Sequence, residues 1–331
     1  MIQRTFLQQL TEEGSKTMRV LAIDSSGLTA TVAVVEDEQT IAEYTVNYKK
    51  THSQTLLPMI DEVKKMIDLD LSSIDAIAVS GGPGSFTGLR IGSATAKGLG
   101  LALGKPLIHV PTVDALAYNV YGCGDLICPI MDARRKQVYT GLYSFSHEVK
   151  DGTHLTEAAF HVEEQQMAIA VEELIGKLNA YKRPVVFLGD GVPVYCQMLE
   201  EGLEVPYSFA PSYMNRQRAA VVGALGIAYY YAGKYETAEA HKPDYLRVSQ
   251  AERERAQREK EAKTEVREMT IEDGAVVAEI EHQSFSDAWS EKAILETLEQ
   301  NNSVCFVAEK AGKRVGYLLG YTAVDEVEIA R

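Results

Sequence analysis

Two stretches of the chain share one sequence pattern, an internal echo: "VLAIDSSGLTATVAVV" (residues 20–35) and "LICPIMDARRKQVYTGLYSF" (residues 126–145). Each is an apolar run that ends in an aspartate, Asp24 or Asp132, and is followed by a turn and a returning strand. Short apolar runs bounded by turn-forming residues are typical of buried strands. The repetition predicts an α/β fold built from a duplicated domain.

The residues around the first copy extend this pattern. "QTIAEYTVNY" (39–48) predicts a third strand in an antiparallel meander. Apolar residues at helical spacing predict a helix over 51–67. Further expected elements are strands at 74–80, 106–110 and 185–191, and helices at 113–120 and 218–233.

Composition limits the class of protein. With 331 residues the chain has room for two domains of roughly 150 residues each. A net charge of -14 makes the average surface repel nucleic acid, so RNA would need a local basic patch or a partner. No apolar run reaches the ~18 residues that span a bilayer, and the N-terminus lacks a signal-peptide core, so we expect a cytoplasmic protein without membrane contact.

Cysteine and histidine spacing gives no metal motif. The four cysteines lack C-x-x-C spacing, which favours free thiols in a reducing cytosol. The seven histidines contain no H-E-x-x-H or H-x-x-x-H pair. We therefore predict that the chain has no metal site.

A highly charged stretch marks a domain boundary. Residues 251–268 contain twelve charges, six of each sign, and almost nothing apolar to bury. We expect a disordered extension or an alternative start over 1–17, a first domain over 18–247, and a solvated helix or linker over 248–265. A partial second domain would cover 266–331, because the sequence stops within a strand pattern.

The stretch "GGPGSFTGLRIGSATAKGLGLALG" (81–104) allows three interpretations. It matches neither the Walker A motif nor G-x-G-x-x-G, but it lies between a strand and a helix, where backbone N–H groups can hold an anion. Each glycine inside a helix costs roughly 0.5–1 kcal/mol relative to alanine. Small residues recur every four positions, so the resulting ridge could pack on its own sheet or receive a partner helix: Gly88, Gly92, Ala96, Gly100 and Gly104.

Several motifs between about Met18 and Arg247 resemble the TsaB family, also called YeaZ. They are "LAIDSSGLTATVAVV", "THSQTLLPMID", "GPGSFTGLRIG" followed by "AKGL", "MDARRKQVY", "GDG" and "PDYLR". The resemblance implies an ASKHA fold, the duplicated architecture of actin, Hsp70 and sugar kinases. It also implies a role in making threonylcarbamoyladenosine next to the tRNA anticodon, as the dimerisation subunit that a TsaD-type transferase needs.

The resemblance implies partners and limits the chemistry. A TsaE-type ATPase would join the complex, tRNA would be met only through that complex, ATP would be a cofactor of the complex, and the subunit alone would form a homodimer. TsaD-type proteins carry a His-x-x-x-His metal pair where this chain has Thr112 and Leu116. Neither side chain can replace an imidazole ligand, which argues for a non-catalytic subunit. An independent ASKHA kinase or ATPase is the rival interpretation, and measurable ATP hydrolysis would support it.

The resemblance also assigns candidate site residues. Asp24 stands where ASKHA enzymes hold a metal–nucleotide, but the usual phosphate-turn glycine is missing, which favours a decayed nucleotide site. The candidates for residual nucleotide binding are Asp24, Ser25, Gly82, Gly84, Gly189 and Gly191. The family's interface helices map onto His52–Ile67 and Arg90–Leu103, which favours partner contact over phosphate binding for the glycine helix. The interface candidates are His52, Leu56, Met59, Ile60, Arg90, Ile91, Ala94, Lys97 and Gly98, with core burial of Leu56, Met59 and Ile60 as the alternative.

The tail from residue 266 resembles the start of RimI, a GNAT-fold acetyltransferase that acts on a ribosomal protein N-terminus. "IEHQSFSDAWSEKA" (280–293), with the chain's single tryptophan, is the most specific part. The acetyl-CoA turn of that family would lie beyond Arg331, so we expect an incomplete acetyltransferase. Acetyl-CoA binding, and a bifunctional fusion, would require further sequence.

Overall fold

The chain divides into two compact units, Met1–Arg247 and Val248–Arg331. The structure is a computed structural model, and it describes residues 17–48, 51–149, 156–247, 264–310, 312–323 and 326–331. The predicted N-terminal extension up to residue 16, and residues 248–263 of the predicted linker, lie outside the described residues.

The first half of the first unit is a five-stranded sheet with three helices. Its elements are β1 (Arg19–Asp24), β2 (Ala30–Glu36), β3 (Gln39–Val46), α1 (His52–Met66), β4 (Ala76–Gly82), α2 (Phe86–Leu103), β5 (Leu107–Pro111) and α3 (Thr112–Tyr118). The strand order is β3-β2-β1-β4-β5. The first three strands are antiparallel, whereas β4 and β5 run parallel to β1. The central strands are buried on both faces, which explains their nearly continuous apolar runs.

The second half repeats the same plan. Its elements are β6 (Leu126–Asp132), β7 (Gln137–Val149), β8 (Thr156–Ala170), α4 (Val171–Tyr181), β9 (Val185–Leu188), α5 (Val192–Gly202), β10 (Tyr207–Phe209) and α6 (Ala219–Tyr231). The order β8-β7-β6-β9-β10, with the same strand directions, matches the first sheet. The duplicated α/β architecture predicted from the echo, and implied by the ASKHA resemblance, is therefore confirmed for this unit.

The last helix of each half, α3 or α6, packs against the sheet of the other half. Helix α6 packs on the face of the first sheet opposite α1 and α2, where Val222 and Leu225 join the core of β1, β2 and β4. Helix α3 packs on the second sheet, where Val113 and Leu116 meet Tyr143 of β7. The exchange gives the two halves shared hydrophobic cores.

Three of the predicted interface residues lie in the core on the α1 side of the first sheet. Leu56, Met59 and Ile60 of α1 are only 1%, 3% and 6% exposed, and they pack against the first sheet beside Ala96 of α2. The apolar stripe that suggested a partner surface is the stripe that holds α1 on its own sheet. A partner could reach these side chains only if α1 left the sheet, so the interpretation as core residues is correct.

The second unit is a four-stranded antiparallel sheet with two helices. Its elements are β11 (Thr264–Glu268), α7 (Gly274–Ser284), α8 (Glu291–Leu298), β12 (Ser303–Lys310), β13 (Lys313–Ala323) and β14 (Glu326–Ile329). The strand order is β11-β12-β13-β14, and Trp289 packs against a core that includes Val277, Ile294 and Val307. The acetyltransferase resemblance of this unit stays a prediction.

Two expectations from the composition concern the cysteines and the membrane-spanning helices. Cys123, Cys128, Cys196 and Cys305 are all free thiols, as their spacing predicted. Within the described ranges, no helix is both long enough and apolar enough to cross a bilayer.

Candidate functional site

A cleft lies between the two halves of the first unit, where the carboxyl ends of β1 and β4 face those of β6 and β9. It encloses about 480 Å³. Its lining includes Ser26, Gly27, His52, Gly84, Asp132, Arg134 and Asp190. In open α/β sheets, ligands bind in the crevice at the carboxyl ends of parallel strands, so this cleft is the natural ligand site of the fold.

Asp24, the residue predicted to hold a nucleotide, is hydrogen-bonded to the turn after β1 and to β4. Its Oδ1 accepts hydrogen bonds from the backbone N–H and the hydroxyl of Ser26, at 2.8 and 2.7 Å, and its Oδ2 accepts one from the Ser80 hydroxyl. The carboxyl is 1% exposed. Burial raises its pKa, and the hydrogen bonds from Ser80 and Ser26 oppose that shift. The carboxyl group is therefore held by its own chain, and its role in nucleotide binding stays a prediction.

The turn after β1 is also filled by the start of α2. The Ser25 hydroxyl donates to the carbonyl oxygen of Gly88 at 2.9 Å, and the Ser85 N–H donates to the carbonyl oxygen of Ser26 at 2.7 Å. A Cβ on Gly84 would collide with the Ser26 carbonyl oxygen, and one on Gly88 with the Ser25 carbonyl oxygen. Close approach between backbones of the same chain therefore accounts for these two glycines.

The other glycines of the nucleotide prediction have similar roles. Gly82 has a φ of 121°, and a Cβ there would collide with the carbonyl oxygen of Asp244. Gly189 has a φ of 109°, and a Cβ on it would overlap the Ile130 carbonyl oxygen. The Gly191 N–H donates to the same carbonyl at 3.0 Å. Each of these positions is explained by chain packing, and their role in nucleotide binding stays a prediction.

The small-residue ridge of α2 faces its own sheet. A Cβ on Gly92 would lie 2.5 Å from the Ser25 hydroxyl oxygen, and one on Gly100 would collide with Leu107. Gly104 is the left-handed C-cap, with a φ of 64°. The interpretation of this ridge as a face for a partner helix is therefore wrong, because the ridge packs within its own domain.

The opposite face of α2 is open. Arg90, Ala94 and Gly98 are exposed, Ile91 is half-buried, and Leu101 is 54% exposed. Of the residues that the structure describes, none would lie within 4 Å of a Cβ on Gly98. Four of these residues, Arg90, Ala94, Gly98 and Leu101, follow helical spacing on one side, and we call them the exposed face of α2.

The charged interface candidates are already engaged within the chain. The Arg90 guanidinium lies 4.0 Å from the centre of the Phe86 ring, and its Nε donates to the Tyr245 hydroxyl at 3.3 Å. The Lys97 ammonium donates to the carbonyl oxygens of Glu239 and His241 at 3.0 and 2.9 Å. Arg90 is exposed and half-buried Lys97 holds a neighbouring segment, so Arg90 is the better placed of the two to meet a partner.

His52 lies at the cleft. Its Nε2 is 2.8 Å from the carbonyl oxygen of Gly27, and the ring lines the cleft beside the turn after β1. This contact ties the start of α1 to that turn. A partner that contacts His52 would therefore approach through the mouth of the cleft.

A basic turn lies on the side of the cleft that the second half of the unit forms, and the sequence did not predict it as a site. Arg134, Arg135 and Lys136 all have left-handed backbones, with φ of 65°, 57° and 56°, and all three side chains are exposed. Such residues cost roughly 1–2 kcal/mol each. The Asp132 carboxylate accepts from the Arg134 N–H at 2.8 Å and pairs with its guanidinium at 3.0 Å. Strain of this kind clusters at functional sites, and here it presents positive charge at the rim of the cleft.

Asp132 is in turn held by two neighbours. The Tyr195 hydroxyl donates to its carboxylate at 2.8 Å, and its own N–H donates to the Asp190 carboxylate at 3.1 Å. Burial raises the pKa of Asp190, and that of Tyr195 to about 12. The repeated pattern of strand, aspartate and turn and the motif "MDARRKQVY" both include Asp132, but neither could reveal the left-handed turn.

The positions of the missing histidine pair are buried. Thr112 and Leu116 are 0% and 1% exposed, and Leu116 belongs to the core around α3. They offer no imidazole to a metal. A different group, His109, Glu236 and His241, places possible ligand atoms close together and was missed by the sequence.

Comparisons with known proteins match the first unit. The family model described as "TsaD: tRNA N6-adenosine threonylcarbamoyltransferase" matches residues 39–255. The chain is 34% identical over 237 residues to the Bacillus subtilis tRNA threonylcarbamoyladenosine biosynthesis protein TsaB, covering 71% of this chain and 96% of the relative. It is 30% identical over 225 residues to the Escherichia coli protein of the same name, covering 61% and 96%. The solved structure of YeaZ from Pseudomonas aeruginosa aligns with a TM-score of 0.56 and 26% identity, covering 69% of this chain and all of that one.

Proposed function

The chain belongs to the TsaB family, within the wider family that the TsaD model describes, and on that basis we propose that its first unit is a non-catalytic subunit in tRNA threonylcarbamoyladenosine biosynthesis. In this role it binds and activates a TsaD-type transferase, with a TsaE-type ATPase completing the complex. The tRNA is engaged through the complex, because the chain's net charge of -14 disfavours direct binding.

The exposed face of α2 is the observation that carries this proposal. Gly98 lies inside the helix, where glycine costs roughly 0.5–1 kcal/mol, and nothing in the described part of its own unit requires the missing Cβ. Ala94 and exposed Leu101 lie on the same side. Small residues beside an apolar one let a second helix approach closely. Gly176 of α4 is equally open, but its exposed neighbours Glu172 and Glu173 are acidic.

The neighbouring helix adds to this surface. Leu57 of α1 is 56% exposed, although Leu56 beside it is buried in the core. The partner surface we propose therefore consists of the outward residues of α1 and α2. The same surface would join two copies of this chain when the transferase is absent.

Two features support an accessory rather than a catalytic role. The Asp24 carboxylate accepts three hydrogen bonds from its own chain, and the start of α2 fills the turn beside it. Thr112 and Leu116 stand in place of the metal-binding histidines of the transferase. We propose that metal-dependent transfer belongs to the partner.

The second unit stays outside this proposal. The family model ends at residue 255, before β11 begins at Thr264. A bifunctional fusion that also acetylates a protein N-terminus stays a prediction.

Reconstitution tests the proposal. The full chain would be combined with the TsaD-type and TsaE-type proteins of the same organism, tRNA, threonylcarbamoyl-adenylate and ATP, and the modified nucleoside measured by mass spectrometry. We expect product only when the chain is present. Gly98→Trp should abolish activation and transferase binding, whereas Gly176→Trp, a matched glycine on another helix, should retain both. Product without the chain, or full activity of Gly98→Trp, would contradict the proposal.

A further inference from the structure

We propose that His109, Glu236 and His241 form a binding site for a divalent transition metal of the zinc class. Each residue offers one ligand atom, and these atoms all lie within 4.8 Å of one another. Imidazole nitrogen and carboxylate oxygen are the donors that Zn²⁺ takes in proteins, alongside thiolate. The site is separate from the cleft and from the positions of the transferase histidines, and it does not depend on the proposed function.

The backbone brings these residues together. Glu236 forms a two-way bridge with Leu107 at the edge of β5, with both N–H···O distances at 2.9 Å. His109 follows two residues later on the same strand. The Lys97 ammonium fixes the His241 carbonyl oxygen at 2.9 Å. The ligand positions are therefore set by a sheet edge and a helix rather than by a free loop.

Both imidazoles are held in place. The His109 ring lies against Gly81, where any Cβ would collide with it. The His241 side chain is fully buried, and its Nδ1 lies 2.7 Å from the Glu236 carboxylate. Held ligands need little rearrangement to bind an ion, and this favours a site of defined geometry.

One buried imidazole nitrogen in the cluster has no hydrogen-bond partner among the described residues. Among the described residues, nothing forms a hydrogen bond with the Nε2 of His241. Buried polar atoms in proteins are almost always satisfied, so an unpartnered imidazole nitrogen beside two further ligands points to a missing ligand.

Asp244 lies beside the cluster, outside the three residues whose ligand atoms all lie within 4.8 Å of one another. Its Oδ2 lies 3.2 Å from the Nε2 of His109 but forms no hydrogen bond with it. Ligand atoms at ~2.0 Å from a tetrahedral zinc lie about 3.3 Å apart, close to this spacing. The Asp244 side chain is 52% exposed, so it can move toward the ion. Two carboxylates and two neutral imidazoles would balance the charge of a divalent cation.

The ion would fasten the segment after α6 to the edge of β5. That segment continues to Tyr245, whose hydroxyl accepts from Arg90 on the exposed face of α2. Metal that binds only the folded state stabilises it by mass action. The inferred role is structural, since it locks the end of the first unit beside its predicted partner surface.

Metal titration of the full chain tests this inference. After treatment with a chelator and dialysis, Zn²⁺ binding would be measured by calorimetry and Co²⁺ binding by visible absorption, which reports tetrahedral coordination. We expect one tight equivalent per chain and a higher Tm with Zn²⁺. His109→Gln and Glu236→Gln should each weaken this binding by about tenfold or more. His161→Gln, on the distant strand β8, is the matched control and should bind as the wild type does.

Each outcome decides the question. Loss of the tight equivalent in the two site variants, with the metal-free variants still folded by circular dichroism, supports the site. No tight equivalent in the wild-type chain would overturn the inference, as would equal affinity in His109→Gln and Glu236→Gln or equal loss in His161→Gln. Transferase activation is not part of the readout, so failure here leaves the proposed function untouched.

Discussion

Replacing Gly98 with alanine should stabilise the chain as a monomer, at a concentration where two copies do not pair. Gly98 lies inside α2, and an added Cβ there would meet nothing within 4 Å. The substitution therefore keeps every contact and removes the cost of an interior helical glycine, roughly 0.5–1 kcal/mol. For a unit of this size, 1 kcal/mol shifts Tm by about 2–4 °C, so the expected rise is about 1–4 °C.

The same substitution at Gly88 should have the opposite sign. There the new Cβ would collide with the Ser25 carbonyl oxygen, a backbone atom that cannot rotate away. Overpacking of this kind costs about 1–3 kcal/mol, more than the gain in helix propensity. Gly88→Ala should therefore lower Tm, although both glycines belong to one helix.

Differential scanning calorimetry is the appropriate assay. Trp289, the only tryptophan, lies in the second unit, so its fluorescence would not report unfolding of α2. Gly176→Ala on α4 is the matched control and should raise Tm as Gly98→Ala does, since its added Cβ also meets nothing. A lower Tm for Gly98→Ala, or a higher one for Gly88→Ala, would refute the assignment of inward and outward faces of α2.

Two further predictions concern buried carboxylates. The side chain of Asp273 is fully buried. Its pKa is held well below the usual range, mainly by the Arg267 guanidinium and further by hydrogen bonds from Thr270 and Arg314. Asp273→Asn should thus destabilise the second unit by about 1–3 kcal/mol in urea unfolding followed by Trp289 fluorescence, because the two arginines that lose their partner are partly exposed. The difference should shrink as pH falls below 3.8. A constant difference across that range would contradict this reasoning. In the first unit, burial raises the pKa of Asp114 despite hydrogen bonds from Tyr143 and Tyr229, so its contribution to stability should decline as pH rises above 3.8. Calorimetry between pH 4 and 7 should therefore give a weaker pH dependence for Asp114→Asn than for the wild-type chain, and parallel profiles would count against it.

The duplication could be predicted from the sequence because it depends on local patterns. The central strands are buried on both faces, so β1 and β6 appear as apolar runs that end in aspartate. Strand β8 was missed because it lies at the edge of the described sheet, beside β7, and carries many polar residues. Strand β11 was missed for the same reason: it is a mostly exposed edge strand within the most charged part of the chain.

The site was harder to predict because helical spacing reveals an apolar stripe but not what covers it. Leu56 and Leu57 are adjacent in sequence, yet one is buried in the core and the other is open to solvent. The histidine cluster joins β5 to residues more than a hundred positions away, so no motif could signal it. Only the fold shows which glycines face Ser25 and which face outward.

The packing of α2 against the turn after β1 links the two main features of the first unit. Ser25 and Ser26 fill the space beside Asp24, and glycines on the inner side of α2 allow the helix to approach their carbonyl oxygens. These contacts within the chain fix the start of the helix against the turn after β1. A rigid helix with a small-residue outer face loses little conformational freedom when a partner helix binds, and this suits a subunit that acts through contact rather than through chemistry.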